Sequence, residues 1–207
     1  MNILYISCSP RGAASESSKL ARKIIEAMST QGRAEVRTRN LGDGHLAHVD
    51  ASYAQAQHAL GITGATSGSL RWSDELIQEL EEADVLLIGT PMHNLSIPSV
   101  LKAWIDHVVR ASRTFQMSAA GKRGVLADRP VYIAVASGGV FSGEHARQPD
   151  FLTPYLLAIL PTIGLHNITF FSVQGTGRPE SALAETRAQT DAGVDAHFAV
   201  EQHCPNR

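Results

Sequence analysis

Short unbroken apolar runs alternate along this chain with segments whose apolar residues recur every three or four positions. Residues 2–7, 84–88, 131–136 and 167–173 are apolar runs of strand length, and 35–39 is a weaker one. Leu20, Ile24 and Met28, with Ala21 and Ile25 beside them, predict a helix over 15–28. Trp72, Leu76, Ile77 and Leu80 predict a helix ahead of the run at 84–88. Ile97, Val100, Leu101, Trp104, Ile105, Val108 and Val109 form a stripe at i, i+3, i+4, i+7. Ser96 is placed to cap that helix, and Pro98 is tolerated in its first turn. Phe151, Leu152, Tyr155, Leu156, Ile159, Leu160 and Ile163 make the next helix, and 179–200 the last. Residues 42–68 lack periodicity and read as a long connection with some local helix.

Strands alternating with helices imply α/β architecture with a parallel, doubly wound sheet. Runs without polar alternation suit strands covered on both faces. Five strands in this order match the flavodoxin-like variant, with strand order 2-1-3-4-5. The 207 residues suit one domain of roughly 150–200 residues. The Gly/Ser-rich piece at 61–69 is the closest approach to a linker, but too little sequence flanks it to make two domains. Residues 1–207 are therefore read as one flavodoxin-like domain.

A formal net charge of −2 gives no electrostatic footprint for nucleic acid and no polybasic membrane patch. Cys8 and Cys204 are far apart and form neither a CxxC nor a zinc spacing, so the expectation is a reduced, cytoplasmic chain. Residues 1–6 lack a basic region and a cleavage site, and read as a first strand rather than a signal peptide. The run at 155–165 is interrupted by Pro161 and is too short to span a bilayer. His45 and His48 near Asp50 read as a solvated loop, with no HExxH, so no metal is expected.

Three strand ends carry turns suited to a ligand, which is where open α/β sheets bind. After the first strand, Ser9, Ser15, Ser17 and Ser18 precede a helix. Hydroxyls and free amides at a helix N-terminus suit a phosphate without a lysine. After the run at 84–88, Pro91, Met92, His93, Asn94 and Leu95 mix apolar and hydrogen-bonding side chains, as a flat heteroaromatic ring requires. After 131–135, Ser137, Gly138 and Gly139 let backbone approach a ligand closely. Taken singly, each turn also reads as ordinary structure: a serine cap, a proline-punctuated loop, a tight glycine turn. Neither a Walker A loop nor GxGxxG is present at the first turn. The segment 175–180, Gly-Thr-Gly-Arg-Pro-Glu, reads as a connecting turn.

Pro91-Met92-His93-Asn94, followed by residues 97–106 (Ile-Pro-Ser-Val-Leu-Lys-Ala-Trp-Ile-Asp), resembles the Pro-Met-Tyr-Asn-Phe loop and helix of the FMN-dependent NADH-azoreductases, within the flavodoxin-like quinone reductases. Residues 111–115 resemble that family's Arg-Ala-Gly-x-Thr-Phe continuation. Leu152-Thr153-Pro154-Tyr155-Leu156 and Ile163-Gly164 resemble the segment before its last strand. The resemblance implies one non-covalent FMN per chain. Ser9, Ser15, Glu16 and Ser17 match the positions holding its phosphate, Glu16 through its backbone. Met92, His93, Asn94 and Leu95 match the loop along the ring, and Ser137, Gly138 and Gly139 the third contacting turn. His93 stands where the family usually has Tyr, Leu95 where it often has Phe, and Ala136-Ser137 where it has Ser-Arg. These changes bear on acceptor range more than on flavin binding.

The activity so implied is ping-pong transfer of two electrons from NADH to quinones and azo compounds by a homodimer. FMN would carry the redox chemistry, so no side chain is required as a catalytic nucleophile. His93 and His145 are proton-source candidates but read more simply as loop histidines. A flavodoxin-type electron carrier is the rival reading. The nearly balanced charge argues against the charged docking face a carrier would use. A flavin-binding regulator with incidental reductase activity is a third.

Overall fold

The computed structural model describes residues 1–30, 32–58, 68–119 and 121–201. Five parallel strands form the central sheet: β1 (Asn2–Ser7), β2 (Glu35–Asn40), β3 (Val85–Pro91), β6 (Val131–Ser137) and β7 (Ile168–Gln174). Their order is β2-β1-β3-β6-β7, the expected 2-1-3-4-5. The helices are α1 (Glu16–Ser29), α2 (Ala51–His58), α3 (Gly68–Glu82), α4 (Ser99–Val108), α5 (Thr153–Ile159) and α6 (Glu180–Glu201). None among the described residues is long and apolar enough to cross a membrane.

Alternate strand residues feed two separate cores. Leu4, Ile6, Leu86, Ile88, Ile133 and Val135 pack beneath α3, α4 and α5, with Trp104 of α4 fully buried among them. Ile3, Tyr5, Val85, Leu87, Tyr132 and Ala134 point the other way, onto Leu20 and Ile24 of α1 and Phe198 of α6. Every residue of β6 is buried, which is why its run carries no polar alternation. Each large apolar side chain so removed from water contributes roughly 1.5–3 kcal/mol. β2 lies at the sheet edge and is almost wholly exposed, hence its faint apolar signal.

Three elements differ from the sequence reading. A short antiparallel hairpin, β4 (Phe115–Ser118) with β5 (Gly121–Gly124), follows α4 and was not anticipated. Ser96 does not cap α4; Pro98 occupies that position, because Ser96 closes a tight turn with His93. The helix expected over 151–163 ends at Ile159 and tightens into a 3-10 turn, Leu160–Ile163, where Pro161 cannot continue an α-helix. The 42–68 connection does carry a helix, α2, whose Tyr53 hydroxyl donates to the carbonyl of Asp106 at 2.8 Å. Residues 61–67 of the linker-like piece, and Cys204, lie outside the described residues. Cys8 is buried, and burial pushes its thiol above the usual range, so it is an inert core group.

Candidate functional site

The carboxyl ends of β1, β3 and β6 open into one cavity of about 210 Å³. Ser9, Ser15, Glu16 and Ser17 line one side, Met92 and His93 another, and Gly138 a third. Three turns widely separated in sequence therefore meet, as the strand order requires at a switch point.

The first turn is built by its own hydroxyls. Ser15 caps α1, accepting from the Ser18 amide at 3.2 Å and donating to the Ser18 hydroxyl at 2.8 Å. The Ser17 hydroxyl lies 3.3 Å from that of Ser15, and the Tyr5 hydroxyl donates to Ser18 at 3.3 Å. Ser9, Ser15 and Ser17 are all buried, so this turn is part of the packed structure rather than a solvated loop. Gly42 presses on it from behind, where a Cβ would collide with the Ser9 carbonyl. The first amides of α1, those of Glu16 and Ser17, have no intrahelical acceptor. The Glu16 carboxylate turns away to Arg187 of α6, 2.7 and 2.9 Å for the two bonds, and to Lys19 at 2.7 Å. The Arg187 pair holds the Glu16 carboxyl down at about 2. Free amides at the start of α1, serines lining the cavity and a carboxylate drawn away from it suit a phosphate group.

The second turn is strained. The His93 amide donates to the Ser96 carbonyl at 2.9 Å, and the Ser96 amide donates back at 3.0 Å. Asn94 (φ +48°) and Leu95 (φ +71°) sit between them in the left-handed region, which costs a non-glycine residue energy. The turn is braced by the Phe151 amide, which donates to the Leu95 carbonyl at 3.0 Å. Asn94 and Leu95 are brought close to the cavity but do not line it.

The third turn splits into distinct roles. Ser137 is buried beneath the cavity, and its hydroxyl lies against the Met92 sulfur at 3.7 Å. Gly138 faces open space, with nothing within 4 Å of where a Cβ would stand. Gly139 turns from the cavity, and a Cβ there would collide with the side-chain amide of Gln148. Among the described residues, the amides of Gly138 and Gly139 have no acceptor within the protein.

Several residues at the site escaped the sequence reading. Gln148 donates to the Ser137 hydroxyl and the Met92 sulfur, each at 3.1 Å, tying the second turn to the third. Gln174, at the end of β7, accepts from the amides of Phe141 and Ser142 at 2.8 and 3.0 Å and so holds the loop carrying Gln148. Thr176 joins the cavity wall, its amide donating to the Ser137 carbonyl at 2.9 Å, although 175–180 read as a plain connection. Arg11 also lines the cavity, and its place in the serine turn was the available signal. No group of three or more metal-ligating side chains occurs among the described residues.

Residues 1–197 match the family described as having the flavodoxin-like fold. The chain is 42% identical over 190 residues to an FMN-dependent NADH:quinone oxidoreductase of Burkholderia lata, covering 91% of this chain and 92% of that one. It is 43% identical over 187 residues to another of that description from Pseudomonas fluorescens, covering 89% of each. Among solved structures, the azoreductase AzrA superposes with a TM-score of 0.82 at 22% identity, covering 96% of this chain and 99% of that one. An FMN-dependent NADH-azoreductase of Bacillus anthracis, solved in complex with FMN, gives 0.79 at 22% identity, covering 96% and 98%.

Proposed function

The chain belongs to the flavodoxin-like family, and on that premise we propose that it is an FMN-dependent NADH:quinone oxidoreductase. The observation that carries the reading is that the serines and the first amides of α1 line the cavity while the Glu16 carboxylate beside them is drawn off by Arg187. Ser9, Ser15 and Ser17, with the amides of Glu16 and Ser17, would hold the FMN phosphate. Met92, His93, Asn94 and Leu95 would border the ring, and Gly138 would leave it room. The free amide of Gly138, with Ser137 beneath it, would meet its polar edge and favour negative charge there. When bound, FMN supplies two-electron transfer from NADH to a quinone, giving NAD and a hydroquinone. Azo compounds are the second acceptor class, supported by the motif at residues 91–106; two rounds would yield two amines.

A pocket that serves donor and acceptor in turn gives ping-pong kinetics. A cytoplasmic homodimer of single-domain chains completes the proposal. The support for a dimer is the exposure of large apolar side chains, Met117, Phe151 and Leu157 among them, of which Phe151 braces the second turn through its backbone amide. The test is titration with FMN, FAD and riboflavin, followed by NADH oxidation with a quinone. FMN should bind tightest and support turnover. Equal affinity for riboflavin, which lacks the phosphate, would overturn the role given to the first turn.

A further inference from the structure

A second concavity lies beyond Gly138, sharing that residue with the serine-lined cavity. It encloses about 500 Å³, within the usual size of a small-molecule site. Its floor is backbone, at Gly138, Gly139 and Gly175, and its rim carries the side chains of Arg147, Arg178 and His145. Among the described residues, neither guanidinium has a carboxylate or carbonyl partner. Arg39, Arg110 and Arg187, in contrast, are all held by carboxylates.

Both rim arginines stand on closed turns. The Arg147 amide donates to the Val140 carbonyl at 2.8 Å, and the Arg178 amide to the Gly175 carbonyl at 2.9 Å. The two turns are laced together where the Gly175 amide donates to the Gly139 carbonyl at 3.1 Å. The backbone of both arginines is thus fixed beside one concave floor, while their exposed side chains are left to close on a ligand. Arginine is always charged and presents a fork of donors matched to oxyanions. A glycine floor admits such a group close to backbone.

We propose that this cavity is an oxyanion subsite for a substrate of the neighbouring cleft. The oxyanion is either the pyrophosphate of the dinucleotide donor or an acidic substituent on the acceptor. The inference rests on the reductase reading, since it places the anion of a molecule whose reacting part reaches past Gly138.

The test uses Arg147→Gln, Arg178→Gln and the double variant, with Arg123→Gln on the exposed β5 strand as a control for lost charge. Calorimetry on FMN-saturated protein would titrate ADP-ribose, naphthalene-2-sulfonate and neutral 2-naphthol. At least one anion should bind the parent, and each arginine removed should weaken it by about tenfold, the usual cost of one charge-assisted hydrogen bond. FMN affinity, 2-naphthol binding and the control should not change. A loss confined to ADP-ribose assigns the site to the donor; one confined to the sulfonate assigns it to the acceptor. Equal anion binding by parent and double variant, no anion binding by the parent, or an equal loss in the control would overturn the subsite. Failure of the reductase reading shows separately, as absent FMN binding or NADH oxidation in the parent. The same titrations on flavin-free protein still report on the arginines.

Discussion

The first turn and the turn at residues 93–96 border the same cavity, yet different parts of the chain hold them in place. In the first, Ser15 caps the helix that follows it and bonds hydroxyls two and three residues away. In the second, Asn94 and Leu95 sit at positive φ, braced by Phe151 and, through Met92, by Gln148, residues more than fifty positions along the chain. A phosphate site can be written locally, because a helix N-terminus supplies its donors. A ring site cannot, because it needs two flat walls brought from separate strands.

The sharpest break of this comparison is at Gly138. Gly138→Val should fill the open cleft and lower FMN affinity by about 2–3 kcal/mol, a typical overpacking cost. Gly139→Val should cost less, because its side chain meets the movable end of Gln148 rather than the cavity. Flavin fluorescence titration ranks the two, and the reverse order would remove Gly138 from the ring site.

Next in size is the pair Ser15→Ala with Ser17→Ala, expected to weaken FMN binding by about 1–3 kcal/mol. Because Ser15 also caps α1, Ser15→Ala alone should cost about 1 kcal/mol of stability in a melt without flavin. An unchanged FMN affinity in the double variant would place the phosphate elsewhere.

Glu16 links the first turn to α6. Its carboxyl is lowered from 4.5 to about 2 by Arg187, so the pair stabilises the fold fully above pH 4.5. That contribution fades as pH falls from 4.5 through about 2. Glu16→Gln should cost about 1–2 kcal/mol at pH 7, with allowance for solvent at this partly open pair, and the gap from the parent should close towards pH 2. Melting curves across pH would show it, and a gap that persists at low pH would contradict the assignment to charge.

The smallest effect is expected at Gln148. Gln148→Ala frees the Met92 sulfur and the Ser137 hydroxyl, and should weaken FMN binding by about 1 kcal/mol. Riboflavin should lose as much as FMN, since the phosphate end is untouched. A loss seen with FMN alone would break the division between the two turns.

The same contrast explains what the sequence made legible. β3 and β6 showed as continuous apolar runs because neighbours cover both their faces. The serine turn, with Ser9, Ser15 and Ser17, was legible because a cap and its hydroxyls are local, whereas Glu16 came only with the family resemblance. The β4–β5 hairpin could not, because it rests on a distant segment: a Cβ at Gly124 would collide with backbone at Gly164, and the Leu126 amide donates to the Ile163 carbonyl at 3.1 Å. Ser96 has the chemistry of a cap, but pairing with His93 takes it out of the helix. Gln148 and Thr176 reach the site only because the loops after β6 and β7 fold against each other. No local pattern encodes that meeting.

The central claim is that one cleft accepts electrons from NADH and passes them to a quinone. Anaerobic stopped-flow of the FMN-saturated protein tests it most directly. NADH should bleach the flavin band at a rate no slower than steady-state turnover, and a quinone added in a second mix should restore it as fast. Bleaching slower than turnover, or none, would contradict the reductase account and favour an electron carrier.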